Sequence, residues 1–308
     1  MNNINKKRVL VTGVHGQVGR ALKKALGQQC ELVTAARAGA DVNFDLSDAA
    51  QIKKAIEVVK PDIVINPAAY TQVDNAEDEV ELARLINATA PGVMAELCKK
   101  QNALLVHYST DYVFNGRGSR PYTEDDAVDP INVYGKTKLA GEQAIQAVNC
   151  NHLIFRTCWV YDARSKNFPN AILARAKTME TLKVVNDQLG TPTWAGFIAD
   201  TTIKTINKVL DIEPCPLNSN RIYNLMPDGQ ASWYDFADAL IKQELAAKDG
   251  AQLMVKEIIP VSTAEFPTKA NRPAWSVLDN QKLKKDFGVE IDHWQAYMKM
   301  AFSIPRSS

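Results

Sequence analysis

Arg8-Val9-Leu10-Val11-Thr12-Gly13-Val14-His15-Gly16-Gln17-Val18-Gly19 joins a β-rich run to a helical segment through three glycines set at intervals of three. Residues 8–12 read as a strand. Residues 17–26 carry Val18, Ala21, Leu22, Ala25 and Leu26 on one side, the spacing of an amphipathic helix. An ordinary strand-to-helix turn needs only one glycine. Three in this position point to a dinucleotide: Gly13 permits the tight turn, Gly16 lets the backbone approach a pyrophosphate, and Gly19 lets the helix lie against the sheet. Amides at the helix N-terminus then face the bound phosphates.

Outward from this turn the alternation repeats. Residues 31–35 form a second strand. Residues 49–59 form a helix that Asp45-Leu46-Ser47-Asp48 can cap. Residues 63–66 form a third strand with the continuous apolar character of a buried parallel sheet. Residues 77–100 read as one long helix, 103–108 as a strand, 133–147 as a helix and 153–156 as a strand. The order specifies an α/β fold, a doubly wound parallel sheet of Rossmann type that binds ligands beyond the carboxyl ends of its strands. Gly13, Asn66, Ser109 and Thr157 fall at such ends. After about residue 155 segments rich in Pro, Asn and Trp appear, with helices expected at 234–247 and 280–287. The expected organisation is a dinucleotide-binding domain over residues 1–155 with a return segment near 190–228. Residues 156–189 and 229–308 then form mainly a smaller, interleaved substrate-binding domain.

Composition narrows the partners. The 308 residues are 46% hydrophobic and 23% charged, ordinary for a soluble globular protein with an ample core. A net charge of +1, with no basic cluster longer than Lys6-Lys7-Arg8, argues against nucleic acid. Cys30, Cys98, Cys150, Cys158 and Cys215 are odd in number and include no Cys-x-x-Cys, so neither a disulfide scaffold nor a zinc site is expected. The four histidines lack metal-ligand spacing, and no metal is expected. No apolar stretch approaches the roughly 20 residues of a membrane span and no signal-peptide core opens the chain. A cytoplasmic protein without a membrane partner is the expectation.

A second constellation gives the dinucleotide something to do. Tyr134 and Lys138 are four residues apart, one turn apart on one helix face. Thr110 lies at a strand end. A phenol holds its proton at pH 7, and an adjacent ammonium eases its exchange. The Thr110 hydroxyl can hold the same substrate oxygen. Tyrosine and lysine share helix faces by chance in many proteins; here the weight comes from the glycine turn, which supplies a place for a hydride donor. An NAD site normally presents an acid about 20 residues beyond the glycines. This second strand ends in Thr34-Ala35-Ala36-Arg37, and the planar fork of Arg37 can pair with the 2′-phosphate of NADP. NADPH is the expected cofactor, with NADH possible. Asp45 and Leu46 can flank its adenine.

Gly13-x-x-Gly16-x-x-Gly19, Ser109-Thr110-Asp111-Tyr112-Val113-Phe114-x-Gly116 and Tyr134-Gly135-Lys136-Thr137-Lys138 resemble the extended short-chain dehydrogenase/reductases. Four further segments narrow the resemblance to the dTDP-4-dehydrorhamnose reductase group: Asn66-Pro67-Ala68-Ala69-Tyr70-Thr71-x-Val73-Asp74, Phe155-Arg156-Thr157-Cys158-Trp159-Val160-Tyr161, Asp187-Gln188-x-Gly190-x-Pro192-Thr193 and Arg272-Pro273-x-x-Ser276. The likeness runs from the first strand to about residue 290. It implies reduction of the C4 ketone of a dTDP-linked 4-keto-6-deoxy sugar, dTDP-6-deoxy-L-lyxo-4-hexulose, to dTDP-L-rhamnose.

The catalytic trio then falls on Thr110, Tyr134 and Lys138. Tyr134 would protonate the forming alkoxide, Lys138 would hold the nicotinamide ribose and lower the phenol's pKa, and Thr110 would bond the substrate oxygen. Implied cofactor contacts are Gly16, Gln17, Val18, Asp45, Leu46, Ala69, Tyr70, Thr71, Tyr108, Tyr134 and Lys138. Implied substrate contacts are Val73, Thr110, Asp111, Tyr112 and Trp159, with Arg272 a further candidate for the diphosphate. Ala36 replaces the acid that some members carry after the second strand. Ala21 stands where the first helix would supply a metal-binding glutamate to a dimer, so the metal does not carry over. The chain is expected to be a monomer or a homodimer.

Three alternatives stay open. A regulatory subunit could bind NADP without turnover, a fate that loss of the Tyr or Lys would mark; both are present with Thr110. A nucleotide-sugar epimerase or dehydratase would keep NAD bound and recycle it. A sister 4-ketoreductase would give the other C4 epimer, such as 6-deoxy-L-talose.

Overall fold

The first strand, β1 (Arg8–Val11), is followed by α1 (Gln17–Leu26), β2 (Glu31–Ala36), β3 (Val42–Asn43), α2 (Ala49–Val59) and β4 (Ile63–Asn66). Next come α3 (Val73–Ala76), α4 (Val80–Arg84), a π turn (Leu85–Thr89), α5 (Ala90–Gln101), β5 (Leu104–Thr110), α6 (Val133–Val148) and β6 (His152–Thr157). The remainder is β7 (Val160–Tyr161), α7 (Phe168–Ala176), β8 (Thr181–Val185), β9 (Leu189–Gly190), β10 (Thr193–Trp194) and α8 (Ala195–Leu210). It closes with β11 (Ile222–Asn224), β12 (Ala231–Ser232), α9 (Trp233–Ala246), β13 (Glu257–Val261), α10 (Gln281–Phe287) and α11 (Trp294–Ser303). The computed structural model of the chain describes residues 3–211, 221–246 and 253–303; Cys215 and Ala247 lie outside them.

Seven strands form one parallel sheet in the order β11-β6-β5-β4-β1-β2-β3. The strand order reverses between β1 and β4, and ligands bind in the crevice beyond such a reversal. Side chains alternate across the sheet. Val9 and Val11 pack with Leu22 of α1 and Phe197 and Ile206 of α8, whereas Leu10 packs with Ile52 and Ile56 of α2 and Met94 of α5. Both faces are covered, which is why the strands read as unbroken apolar runs.

A smaller layer stands beside the sheet. Its strands pair two by two, β7 with β10, β9 with β12 and β8 with β13. Tyr161, Leu173, Leu182, Phe236, Leu240 and Trp294 form its core between α7, α9 and α11. Besides α8 and β11, the helix α10 also returns to the large sheet, where Leu283 and Phe287 join the α1–α8 core. Composition reports loops near residues 229–308, but not which core a following helix enters.

The helix expected as continuous over residues 77–100 is built differently. Residues 77 and 78 are a turn, and α4 reaches α5 through the π turn. Pro91 has no N–H to offer the carbonyl of Asn87 four residues back, and a wider turn absorbs the missing bond. That carbonyl abuts α6 instead: a Cβ on Gly141 would lie 2.1 Å from it.

Candidate active site

The glycine turn is close-packed at its first and third glycines. Gly13 adopts φ +57°, in the left-handed region, and a Cβ there would lie 2.8 Å from the Cβ of Ala68 just past β4. A Cβ on Gly19 would lie 2.2 Å from the carbonyl oxygen of Gly13. Gly16 is the N-cap of α1 and gives its first-turn amides no side-chain partner. Such a turn, too tight for a Cβ at Gly13 or Gly19 and ending on a helix N-terminus, fits a pyrophosphate. The side chain of Gln17 is turned sideways. Its Nε2 donates to the carbonyl of Val160 at 3.2 Å and its Oε1 accepts from Asn167 Nδ2 at 2.8 Å, tying the turn to β7 and to the N-cap of α7. Arg37 is exposed just beyond β2. Asp45 is held below the usual carboxylate range by the amide and hydroxyl of Ser47, with Arg37 adding to the effect. Asp48, not Asp45, caps α2. Leu46 borders the α2-side core.

At the carboxyl end of β5, Thr110 Oγ1 donates to Asp111 Oδ1 at 2.9 Å and accepts from the amide of Tyr112 at 3.2 Å. The phenol of Tyr134 lies within the influence of the Thr110 hydroxyl. Burial pushes the Tyr134 phenol up; the Thr110 hydroxyl acts in the opposite sense, and Asp111 and Tyr112 push further upward. Tyr134 therefore stays protonated across the neutral range. Asp111 is only 3% exposed, and burial raises its carboxyl to about 6 against the pull of hydroxyls from Ser276 and Thr110. The ring of Tyr112 meets Tyr134 edge-on at 5.7 Å. Its phenol is pushed up to about 12, mainly by burial.

Lys138 is buried and turned toward the strand. Its Nζ donates to the carbonyl of Tyr108 at 2.6 Å and lies 3.2 Å from His107 Nε2. Desolvation lowers the ammonium to about 8, with Glu142 opposing. The implied lowering of the Tyr134 phenol by Lys138 is not the arrangement found. A buried ammonium needs acceptors, and the Tyr108 carbonyl and His107 supply them, so Tyr134 is governed by Thr110, Asp111 and Tyr112.

Of the other expected contacts, Tyr108 and Tyr70 give their hydroxyls to partners within the protein. Strand alternation sends the Tyr108 phenol toward α8, where it meets Thr202 Oγ1 at 2.7 Å, and leaves its carbonyl on the Lys138 side. The Tyr70 hydroxyl donates to Glu79 Oε2 at 2.8 Å. Ala69 is half-buried and Thr71 exposed beside it. Val73 opens α3. Arg272 reaches Tyr112 OH at 3.5 Å, but its charge is matched by Asp74 Oδ2 at 2.7 Å. Trp159 has φ +44°, a conformation strained for a bulky side chain, and stacks on Trp233 at 3.6 Å. A Cβ on Gly190 would lie 2.6 Å from the Trp159 ring.

Sequence reasoning did not single out Asn87 or His107. Asn87 accepts from the amide of Tyr70 at 2.8 Å and donates to its carbonyl at 3.0 Å and to Thr137 Oγ1 at 3.1 Å, pinning residues 69–71 to α6. Each interrupts an apolar run, Leu85-Ile86-Asn87-Ala88 and Leu104-Leu105-Val106-His107. That interruption is the available signal; the partner is not written in it. Among the described residues no group of three or more His, Cys, Asp or Glu is placed to hold a metal ion, and no helix is long and apolar enough to cross a membrane. Cys30, Cys98, Cys150 and Cys158 are free thiols.

A family model described as the RmlD substrate binding domain matches residues 7–304. A dTDP-4-dehydrorhamnose reductase of Burkholderia thailandensis is 42% identical over 288 residues, covering 94% of this chain and 95% of the relative. The solved dTDP-4-dehydrorhamnose reductase of Clostridium acetobutylicum superposes with a TM-score of 0.86 at 34% identity, over 96% of this chain and 99% of that one. That of Bacillus anthracis, solved in complex with NADP, gives 0.85 at 30% identity, over 97% and 100%.

Proposed function

The chain belongs to the RmlD substrate-binding-domain family, and on that premise we propose that it reduces the C4 ketone of dTDP-6-deoxy-L-lyxo-4-hexulose to dTDP-L-rhamnose with NADPH. The observation that carries the chemistry is the buried, protonated Tyr134 phenol grouped with the bonded pair Thr110 and Asp111 at the end of β5, two strands from the glycine cradle of β1. Gly13, Gly16 and Gly19 with the first-turn amides of α1 would hold the pyrophosphate, flanked by Gln17 and Val18. Arg37 would hold the 2′-phosphate, Asp45 and Leu46 the adenine, residues 69–71 and the Tyr108 backbone the nicotinamide half, and Lys138 its ribose. When bound, NADPH supplies the hydride.

The chain supplies the proton. Tyr134 bonds the substrate oxygen and gives its proton to the forming alkoxide, while Thr110, its hydroxyl turned from Asp111, steadies the same oxygen. Acid catalysis of this kind contributes about 10²–10⁴-fold. Val73, Asp111, Tyr112, Trp159 and Arg272 surround the sugar nucleotide. The large sheet is then the dinucleotide side, and the smaller layer mainly the substrate side. Incubation with the 4-keto sugar nucleotide and either NADPH or NADH, followed by NMR of the product, tests the activity. Formation of the rhamnose nucleotide with preferential NADPH consumption is expected; no turnover with either cofactor overturns it.

A further inference from the structure

Behind Lys138 a buried polar chain crosses three neighbouring strands. His107 Nε2 on β5 faces the ammonium at 3.2 Å, His107 Nδ1 meets Asn66 Nδ2 on β4 at 3.1 Å, and Asn66 Oδ1 meets Thr12 Oγ1, just past β1, at 2.6 Å. All four residues are at most 1% exposed. Burial and the Lys138 charge hold the imidazole well below its ordinary pKa, so it is neutral, with one nitrogen donating and the other accepting. Two patterns close the chain. With the Asn66 amide nitrogen toward Nδ1, the imidazole proton sits on Nε2 and points at an ammonium that can only donate. With the amide reversed, Nδ1–H donates to Asn66 Oδ1, Asn66 Nδ2 donates to Thr12, and Nε2 is free to accept. The Thr12 hydroxyl serves either pattern. Only the second is compatible with a charged Lys138.

We propose that His107 is a positioning residue for Lys138, accepting a hydrogen from its ammonium through Nε2, and that Asn66 and Thr12 set the imidazole tautomer which makes this acceptance possible. Tyr108 and His107 then take two of the three ammonium hydrogens and leave the third aimed at the ligand side. The inference rests on Lys138 holding the cofactor ribose as proposed above. The other charged group acting on Lys138 is Glu142, one helical turn along α6 and already bonded twice to Arg156, at 3.0 and 2.7 Å.

¹⁵N NMR of the histidine-labelled protein at neutral pH tests the tautomer directly, with His107→Gln identifying the resonance. A neutral ring protonated at Nδ1 is expected; a proton on Nε2 overturns the proposal. Kinetics test the consequence. In His107→Leu, the basic limb of kcat/KM for NADPH should move down by about one pH unit, the worth of a hydrogen bond to a charged group. His107→Gln, which restores an oxygen acceptor, should return the limb toward the parent position. A uniform loss without a shift, or a shift that glutamine does not reverse, overturns the proposal. If the leucine variant does not fold, the NMR result on the parent protein decides. Absence of sugar turnover by the parent would instead overturn the proposed function and leave the tautomer result standing.

Discussion

Tyr134 keeps its proton because burial denies its anion solvation, and on the proposed function that proton is the one given to the substrate. Tyr134→Phe keeps the ring and its edge contact with Tyr112 but removes the proton. Single-turnover kinetics should show kcat reduced by about 10²–10⁴-fold, while NADPH titration shows unchanged affinity. Asp111 has a folded-state pKa raised to about 6, above the usual unfolded value of about 3.9. Its protonated form therefore favours the folded state; that contribution is complete below about pH 3.9 and is lost as pH rises through about 6. Asp111→Asn, neutral at every pH, should gain stability over the parent as pH rises from about 4 to about 7, levelling off at no more than about 3 kcal/mol. Urea unfolding at several pH values checks the slope, and a constant difference would refute it. The types and spacing of Thr110, Tyr134 and Lys138 are legible along the chain. The turn of Lys138 toward His107 is not, because it depends on which acceptor lies nearest in three dimensions.

Among the elements, the π turn between α4 and α5 has the clearest local cause and the widest effect. Pro91 forces it, and Asn87 within it makes three buried hydrogen bonds that hold residues 69–71 against α6. Asn87→Ala should cost about 2–4 kcal/mol in denaturant unfolding. It should also weaken NADPH binding more than it changes KM for the sugar nucleotide, since the freed segment borders the proposed cofactor site. On the other side, β9 supplies Gly190 as the only residue type that fits beneath the strained Trp159. Gly190→Ala should displace the indole and raise KM for the sugar nucleotide by about tenfold, an overpacking cost of roughly 1–3 kcal/mol, leaving NADPH affinity unchanged. Helix 77–100 was legible as helical but not as interrupted. Apolar spacing reports a buried face, whereas the register of backbone hydrogen bonds around a proline depends on the α6 surface it meets.

Across the whole molecule, the site is closed by contacts between distant parts of the chain. Arg272 reaches back 198 residues to Asp74, and Ala270 bonds the same carboxylate through its amide. Arg272→Ala should release this segment from Tyr112 and raise KM for the sugar nucleotide in steady-state assays. The stability change should stay within about 1 kcal/mol, because the pair is partly exposed. By itself the sequence determined the alternating parallel sheet, the glycine cradle and the threonine, tyrosine and lysine at its carboxyl edge. These follow from local periodicity, turn chemistry and strand ends, which short-range sterics and burial impose on the chain wherever it lies. Only the tertiary structure decided which groups those residues bond: His107 and Tyr108 for Lys138, Asp111 for Thr110, Asp74 for Arg272 and Trp233 for Trp159. A hydrogen bond or a ring stack is fixed within a few tenths of an ångström by strands and loops far apart in the chain, and no spacing along one segment carries that distance.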